Sequence, residues 1–177
     1  MSQSFVLIGP SGSGKTSVGR VLATRLGVEL LDASEELKGQ DISVTQAFVQ
    51  DPDAAQKRLN SRSRELVELT SKNPDGKYVV ELPPSAPLDT AVRSAVEGAR
   101  KRGVSVIYLD ASLETLARRS GLGAPQPGFL GTPRAWFKEL NRALQEAYEG
   151  LYDLHCDTTH ADPDALADEI MRASAIN

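Results

Sequence analysis

The sequence predicts an α/β fold in three layers, with a parallel sheet between two sets of helices. Three observations support this. Short apolar runs alternate with helix-spaced segments along the 177 residues, the pattern produced by parallel strands joined through crossover helices. A glycine-rich turn, Gly9 to Thr16, lies between the first such run and the first helix-spaced segment. No repeat, linker or low-complexity stretch breaks the alternation, so one domain over residues 1–177 is expected.

The first strand is expected over Ser4–Ile8, an uninterrupted apolar run. Val18, Val21, Leu22 and Leu26 then recur at helical spacing, with Gly27 as the stop. Val28–Asp32 reads as the second strand, and Ala33 to Gln50 as short helices. Asp51-Pro52 is an N-cap followed by proline at the first helical position, opening a helix to about Ser71. After the Asn73-Pro74-Asp75-Gly76 turn, Tyr78–Leu82 is the third strand. The prolines of residues 83–87 remove donors and fix the backbone, so an irregular loop is expected there.

A helix from about Leu88 to Arg102 presents Val92, Ala95, Val96 and Ala99 on one side. Val104–Leu109 is the strongest strand signal, and Ser112 caps a short helix ending at Arg119. Residues 121–128 are rich in glycine and proline, a composition suited to a lid. The next helix starts at Thr132-Pro133 and sets Trp136, Leu140, Leu144, Tyr148 and Leu151 on one face. Leu154–Asp157 forms a fifth strand, and Asp162-Pro163 opens a last helix that buries Leu166, Ile170 and Met171.

The turn itself reads GPSGSGKT and fully matches G-x-x-x-x-G-K-[ST]. Gly12 and Gly14 let successive N–H groups surround a phosphate, and the following helix points its positive dipole end at the same anion. Lys15 adds a charge for the β- and γ-phosphates, and the Thr16 hydroxyl suits Mg²⁺. Residues 9 to 17, with Gly12, Ser13, Gly14, Lys15, Thr16 and Ser17 at their centre, are therefore expected to bind Mg·ATP.

Composition narrows the partners. A formal charge of −4 argues against a nucleic-acid or anionic-membrane surface. The Arg100-Lys101-Arg102 run is read as cations closing a helix. Cys156 is the single cysteine, which suits a reducing compartment, and the start of the chain has no signal-like or spanning run. A cytoplasmic protein is expected. His155, Cys156 and His160 match no zinc spacing.

Nearly the whole chain resembles the shikimate kinases, small P-loop phosphotransferases related in fold to nucleoside monophosphate kinases. The resemblance rests on GPSGSGKT, on the LLD ending the second strand, and on the segments IYLDASLETLARRSG and CDTTHADP. It implies a five-stranded parallel sheet in the order 2-3-1-4-5, a substrate-binding helical region at about 33–72 and a lid at about 120–132. It also implies ATP and Mg²⁺ as cofactors. Arg119 matches the arginine that packs on adenine, and Pro163 matches the proline of the adenine-binding loop.

The acceptor half departs from that pattern. The family's D-x-D after the second strand reads Asp32-Ala33-Ser34, and its Gly-Gly-Gly after the third reads Pro83-Pro84-Ser85. The lid arginine aligns with Gln126 and a late arginine with Leu144. The arginine of the helix after the second strand is matched by Arg58, with Lys57 fitting almost as well. Shikimate is a carboxylate whose natural anchors are bidentate arginines, so its phosphorylation is expected to be poor.

Two functions fit these residues. The first is an ATP-dependent kinase for a hydroxyl of a small metabolite. Lys15 would neutralise the migrating phosphate, and Asp32 would hold the metal's water shell or accept the acceptor's proton. Glu35, Glu36 and Glu81 stand as further bases. Ser34 and Arg58 would touch the acceptor. Glu81, ending the third strand, would hold Mg²⁺ through water or pair with a nearby Lys or Arg. The second function is a nucleotide-binding relative without turnover, suggested by a nucleotide half kept while the acceptor half is altered.

Overall fold

The computed structural model describes residues 4–37, 44–73, 76–120 and 133–175. The strands are β1 (Phe5–Ile8), β2 (Leu30–Asp32), β3 (Val79–Glu81), β4 (Ser105–Asp110) and β5 (Leu154–Asp157). The helices are α1 (Lys15–Leu26), α2 (Val44–Gln50), α3 (Pro52–Lys72), α4 (Thr90–Lys101), α5 (Leu113–Arg119), α6 (Pro133–Tyr148) and α7 (Pro163–Ala175). The strands form one five-stranded sheet in the order β2-β3-β1-β4-β5, parallel at every pairing. The expected three-layer architecture and strand order are both present.

β1 lies at the centre, and side-chain alternation sends its residues to opposite cores. Val6 and Ile8 join Val80, Val106 and Tyr108 against α3, α4 and α6, through Leu59, Leu66, Val92, Val96, Leu144 and Tyr148. Phe5 and Leu7 join Val79, Ile107 and Leu109 on the other face. There α1 contributes Val18 and Leu22, and α7 contributes Leu166 and Ile170. Each fully buried aliphatic side chain of this kind contributes about 1.5–3 kcal/mol, so two cores on one sheet fix the strand ends from which the site is built.

Some boundaries differ from the sequence reading, each for a local reason. β2 starts at Leu30 rather than Val28 because Val28 N–H still donates to Ala23 O, completing the closure of α1 at Gly27. Val104 N–H likewise donates to Ala99 O, so β4 begins one residue later than expected. The proline-rich segment contains a short 3-10 helix at Ala86–Leu88, since Pro87 sits where its fixed φ is helical and no N–H is needed. Asp89, not Leu88, heads α4, accepting from Ala91 and Val92 N–H. On α6 the buried side chains are Phe137, Asn141, Leu144 and Tyr148, whereas Leu140 is 38% exposed. Asn141 escapes a polar reading because its amide donates to Phe137 O within the helix. The Trp136 and Arg134 side chains and lid residues 121–132, including Gln126, lie outside the described residues. Among the described residues no helix is long and apolar enough to cross a membrane.

Candidate active site

In an open parallel sheet, ligands sit beyond the C-terminal strand ends where connections leave to opposite sides. Here that place is the end of β1, flanked by β3 and β4. The chain turns sharply at Gly9, where a Cβ would lie 2.1 Å from Leu109 O of the neighbouring strand. At Gly12, with φ +81°, a Cβ would lie 2.9 Å from both Leu116 O and Ser120 Oγ. The glycines of the loop are thus required by close backbone approach as well as by dihedral angle. No side chain caps α1 at Gly14, which leaves the start of the helix in an arrangement suited to an anion.

Lys15 is 6% exposed, and its Nζ donates to Gly9 O at 2.9 Å and to Pro10 O at 3.1 Å. Burial lowers its pKa from 10.5 to about 8, with Glu81 and Asp32 pulling it partly back. Thr16 Oγ1 donates to Glu81 Oε1 at 3.0 Å. Glu81 is 8% exposed, and burial raises its carboxyl pKa while Lys15 opposes the shift. Its Oε2 is buried with no hydrogen-bond partner among the described residues. Asp32 is the register partner of Glu81 across β2 and β3, so two carboxylates end neighbouring strands beside Lys15. Asp32 Oδ1 also accepts from Ser34 N–H at 2.8 Å, turning the chain into the 3-10 helix at Ala33–Leu37.

Lys15, Thr16 and Glu81 border a cleft of about 330 Å³, whose described lining does not include Asp32. The loop and α1 supply Gly12, Gly14, Lys15, Thr16 and Ser17; the ends of β2 and β3 supply Ser34, Glu81, Pro83 and Pro84; α5 supplies Arg119. Tyr148 on α6 donates to Pro84 O at 2.8 Å, bracing the proline wall from behind. Ser13, within the loop, is fully buried.

Other expected residues are elsewhere. Arg58 lines a separate cavity of about 180 Å³ with Leu37 and Ala55, and its Nη2 donates to Glu36 O at 2.6 Å. The reason is local: α3 runs beside the 3-10 helix, whose carboxylate and carbonyl capture the guanidinium. Pro163 opens α7 and is not among the described lining of the cleft. Leu144, aligned with a family arginine, is buried in the core. Thr158 escaped the sequence reading although its hydroxyl donates to Ser13 O at 2.8 Å. A threonine in a polar loop carries no spacing signal, and only the fold shows what it meets.

A glycine cradle, a buried lysine and paired carboxylates at these strand ends form an arrangement of the P-loop type. The family model for shikimate kinase matches residues 11–175, and the chain belongs to the shikimate kinase family. Relatives include shikimate kinases of Thermobifida fusca, 37% identical over 94% of this chain and 92% of the relative, and of Streptomyces coelicolor, 34% identical over 82% and 80%. Among solved structures, the shikimate kinase of Acinetobacter baumannii in complex with shikimate superposes with a TM-score of 0.78 at 23% identity. It covers 100% of this chain and 95% of that one. A gluconokinase of Sinorhizobium meliloti reaches 0.62 at 19% identity, covering 98% and 92%. At those identities the structural likeness speaks for the fold alone.

Proposed function

We propose that this chain is an ATP-dependent phosphotransferase acting on a hydroxyl of a small metabolite, for which shikimate is a poor acceptor. The observation that carries this reading is the Thr16–Glu81 contact beside the uncapped start of α1. It places hard oxygen donors next to a phosphate cradle, in front of a cleft sized for a small molecule.

The residues present fit magnesium. Thr16 Oγ1, Asp32 and the Glu81 carboxylate are oxygen donors, and the unpartnered Glu81 Oε2 has no competing protein ligand among the described residues. When bound, magnesium draws charge away from the phosphates. Lys15 would leave the Gly9 and Pro10 carbonyls to meet the transferred phosphoryl group. Arg119 would pack on adenine with Pro163 at the base's edge, Ser34 would hydrogen-bond the acceptor, and Asp32 would take the proton of its hydroxyl. Arg58 would have to release Glu36 before meeting an anionic acceptor.

The test is ATP consumption by the wild type and by Lys15→Ala across sugar acids, cyclic polyols, nucleosides and shikimate. Turnover with one acceptor, lost in the variant, supports the reading. Nucleotide binding without turnover on any acceptor would favour a binding relative instead.

A further inference from the structure

The phosphate loop is held from behind by a residue with no assigned role. Thr158 follows β5 and is 4% exposed. Its N–H donates to Asp110 O at 2.7 Å, tying it to the end of β4. Its Oγ1 lies 2.8 Å from Ser13 O and 3.0 Å from Arg119 Nη1. The direction of both bonds is unambiguous. A carbonyl cannot donate and a guanidinium cannot accept, so the hydroxyl gives its one proton to Ser13 and receives from Arg119. Arg119 Nη2 adds a bond to Thr158 O at 2.9 Å, and Nη1 reaches Gly12 O at 3.3 Å.

The geometry has a consequence on the other side of the loop. In a trans peptide the C=O and the following N–H point in opposite directions. Fixing Ser13 C=O toward Thr158 therefore fixes Gly14 N–H the other way, and Gly14 borders the cleft. A charged donor on the hydroxyl strengthens its bond to Ser13 through polarisation. Glycine-rich backbone is otherwise able to rotate this plane: the bonds on either side, Ser13 N–H to Pro10 O at 3.3 Å and Val18 N–H to Gly14 O at 3.0 Å, belong to the neighbouring peptide planes.

We propose that Thr158 is a positioning residue for nucleotide phosphates, its Arg119-polarised hydroxyl locking the Ser13–Gly14 peptide plane with the Gly14 amide presented to the anion. The proposal rests on the phosphate-site reading above.

Calorimetric titration with ADP and with inorganic tripolyphosphate, which has phosphates but no base, separates the possibilities. Thr158→Val keeps the side-chain shape and removes the hydroxyl. It is expected to bind both probes about tenfold more weakly, because the hydroxyl's bond to Ser13 O, which orients the Gly14 amide, is lost. Thr158→Ser is expected to recover wild-type affinity, and Thr158→Ala replaces valine if the latter does not fold. Equal affinity of Thr158→Val and wild type overturns the proposal. So does a serine variant as weak as valine, or a loss seen with ADP and not with tripolyphosphate. A wild type that binds neither probe removes the phosphate-site reading, and this proposal with it.

Discussion

Thr16 and Glu81 share a hydrogen bond of 3.0 Å although 65 residues separate them in the chain. It joins the first turn of α1 to the end of β3, on the strand next to the one that carries Asp32. Replacing Glu81 by Gln leaves an oxygen for Thr16 but no charge for a cation. Glu81→Gln is expected to shrink the gain in ADP affinity caused by Mg²⁺ about tenfold, with metal-free affinity unchanged. Calorimetry with and without Mg²⁺ measures both. An undiminished metal effect would remove Glu81 from the magnesium site.

Lys15 gives a pH dependence with a definite sign. Its pKa falls on folding from 10.5 to about 8, chiefly through burial. Between those values the unfolded chain binds more protons at this residue, so stability rises with pH there and is lost as pH falls through about 8. Relative to Lys15→Met, the wild type should gain about 3 kcal/mol of stability between pH 8 and 10.5. Urea unfolding of both proteins at the two pH values tests this, and a flat difference would contradict the buried ammonium. Glu81 runs the other way: its raised carboxyl favours the protonated form, and its contribution declines as pH climbs through that raised value.

Gly12→Ala should be costly for two reasons. The residue has φ +81°, and the added methyl would press on Leu116 O and Ser120 Oγ at 2.9 Å. A loss of about 1–3 kcal/mol is expected, together with weakened ADP binding as the loop shifts away from α5. A melting curve and a binding isotherm matching the wild type would show that the loop tolerates the methyl.

For shikimate, kcat/KM is expected at least about a hundredfold below the usual 10⁴–10⁸ M⁻¹s⁻¹. Ser34 provides no carboxylate for a ring hydroxyl, and Leu144 sits in the core where the family has a cation. Arg58 is engaged with Glu36 and borders a different cavity. A coupled assay with saturating Mg·ATP and millimolar shikimate decides the matter. Rapid turnover would place the carboxylate anchor on another residue.

Much of the fold was legible because its signals are local. Ser112 and Asp51 cap the helices expected of them, accepting from Thr115 and Ala54 N–H. β5 spans the expected Leu154–Asp157. The exposed Leu140 shows where periodicity fails: the buried stripe of α6 runs instead through Phe137, Asn141, Leu144 and Tyr148. In the site, GPSGSGKT marked the tight glycine turn and the start of α1 through its own spacing. Glu81's tie to Thr16, Arg58's capture by Glu36 and Thr158's hold on Ser13 depend on contacts between distant segments. No pattern in one chain encodes those contacts.

Pro83 and Pro84 form one wall of the cleft and have no backbone N–H, and the Pro84 carbonyl is already occupied by Tyr148. Water resting against such a surface has little to hold it, so a molecule entering there displaces solvent cheaply and is sorted by contour. Hydrogen bonding has little part in that sorting. Selectivity along this wall should therefore change in steps of side-chain volume as the prolines are replaced. A glycine there would do more than widen the space, because it would introduce a donor where the present surface offers none.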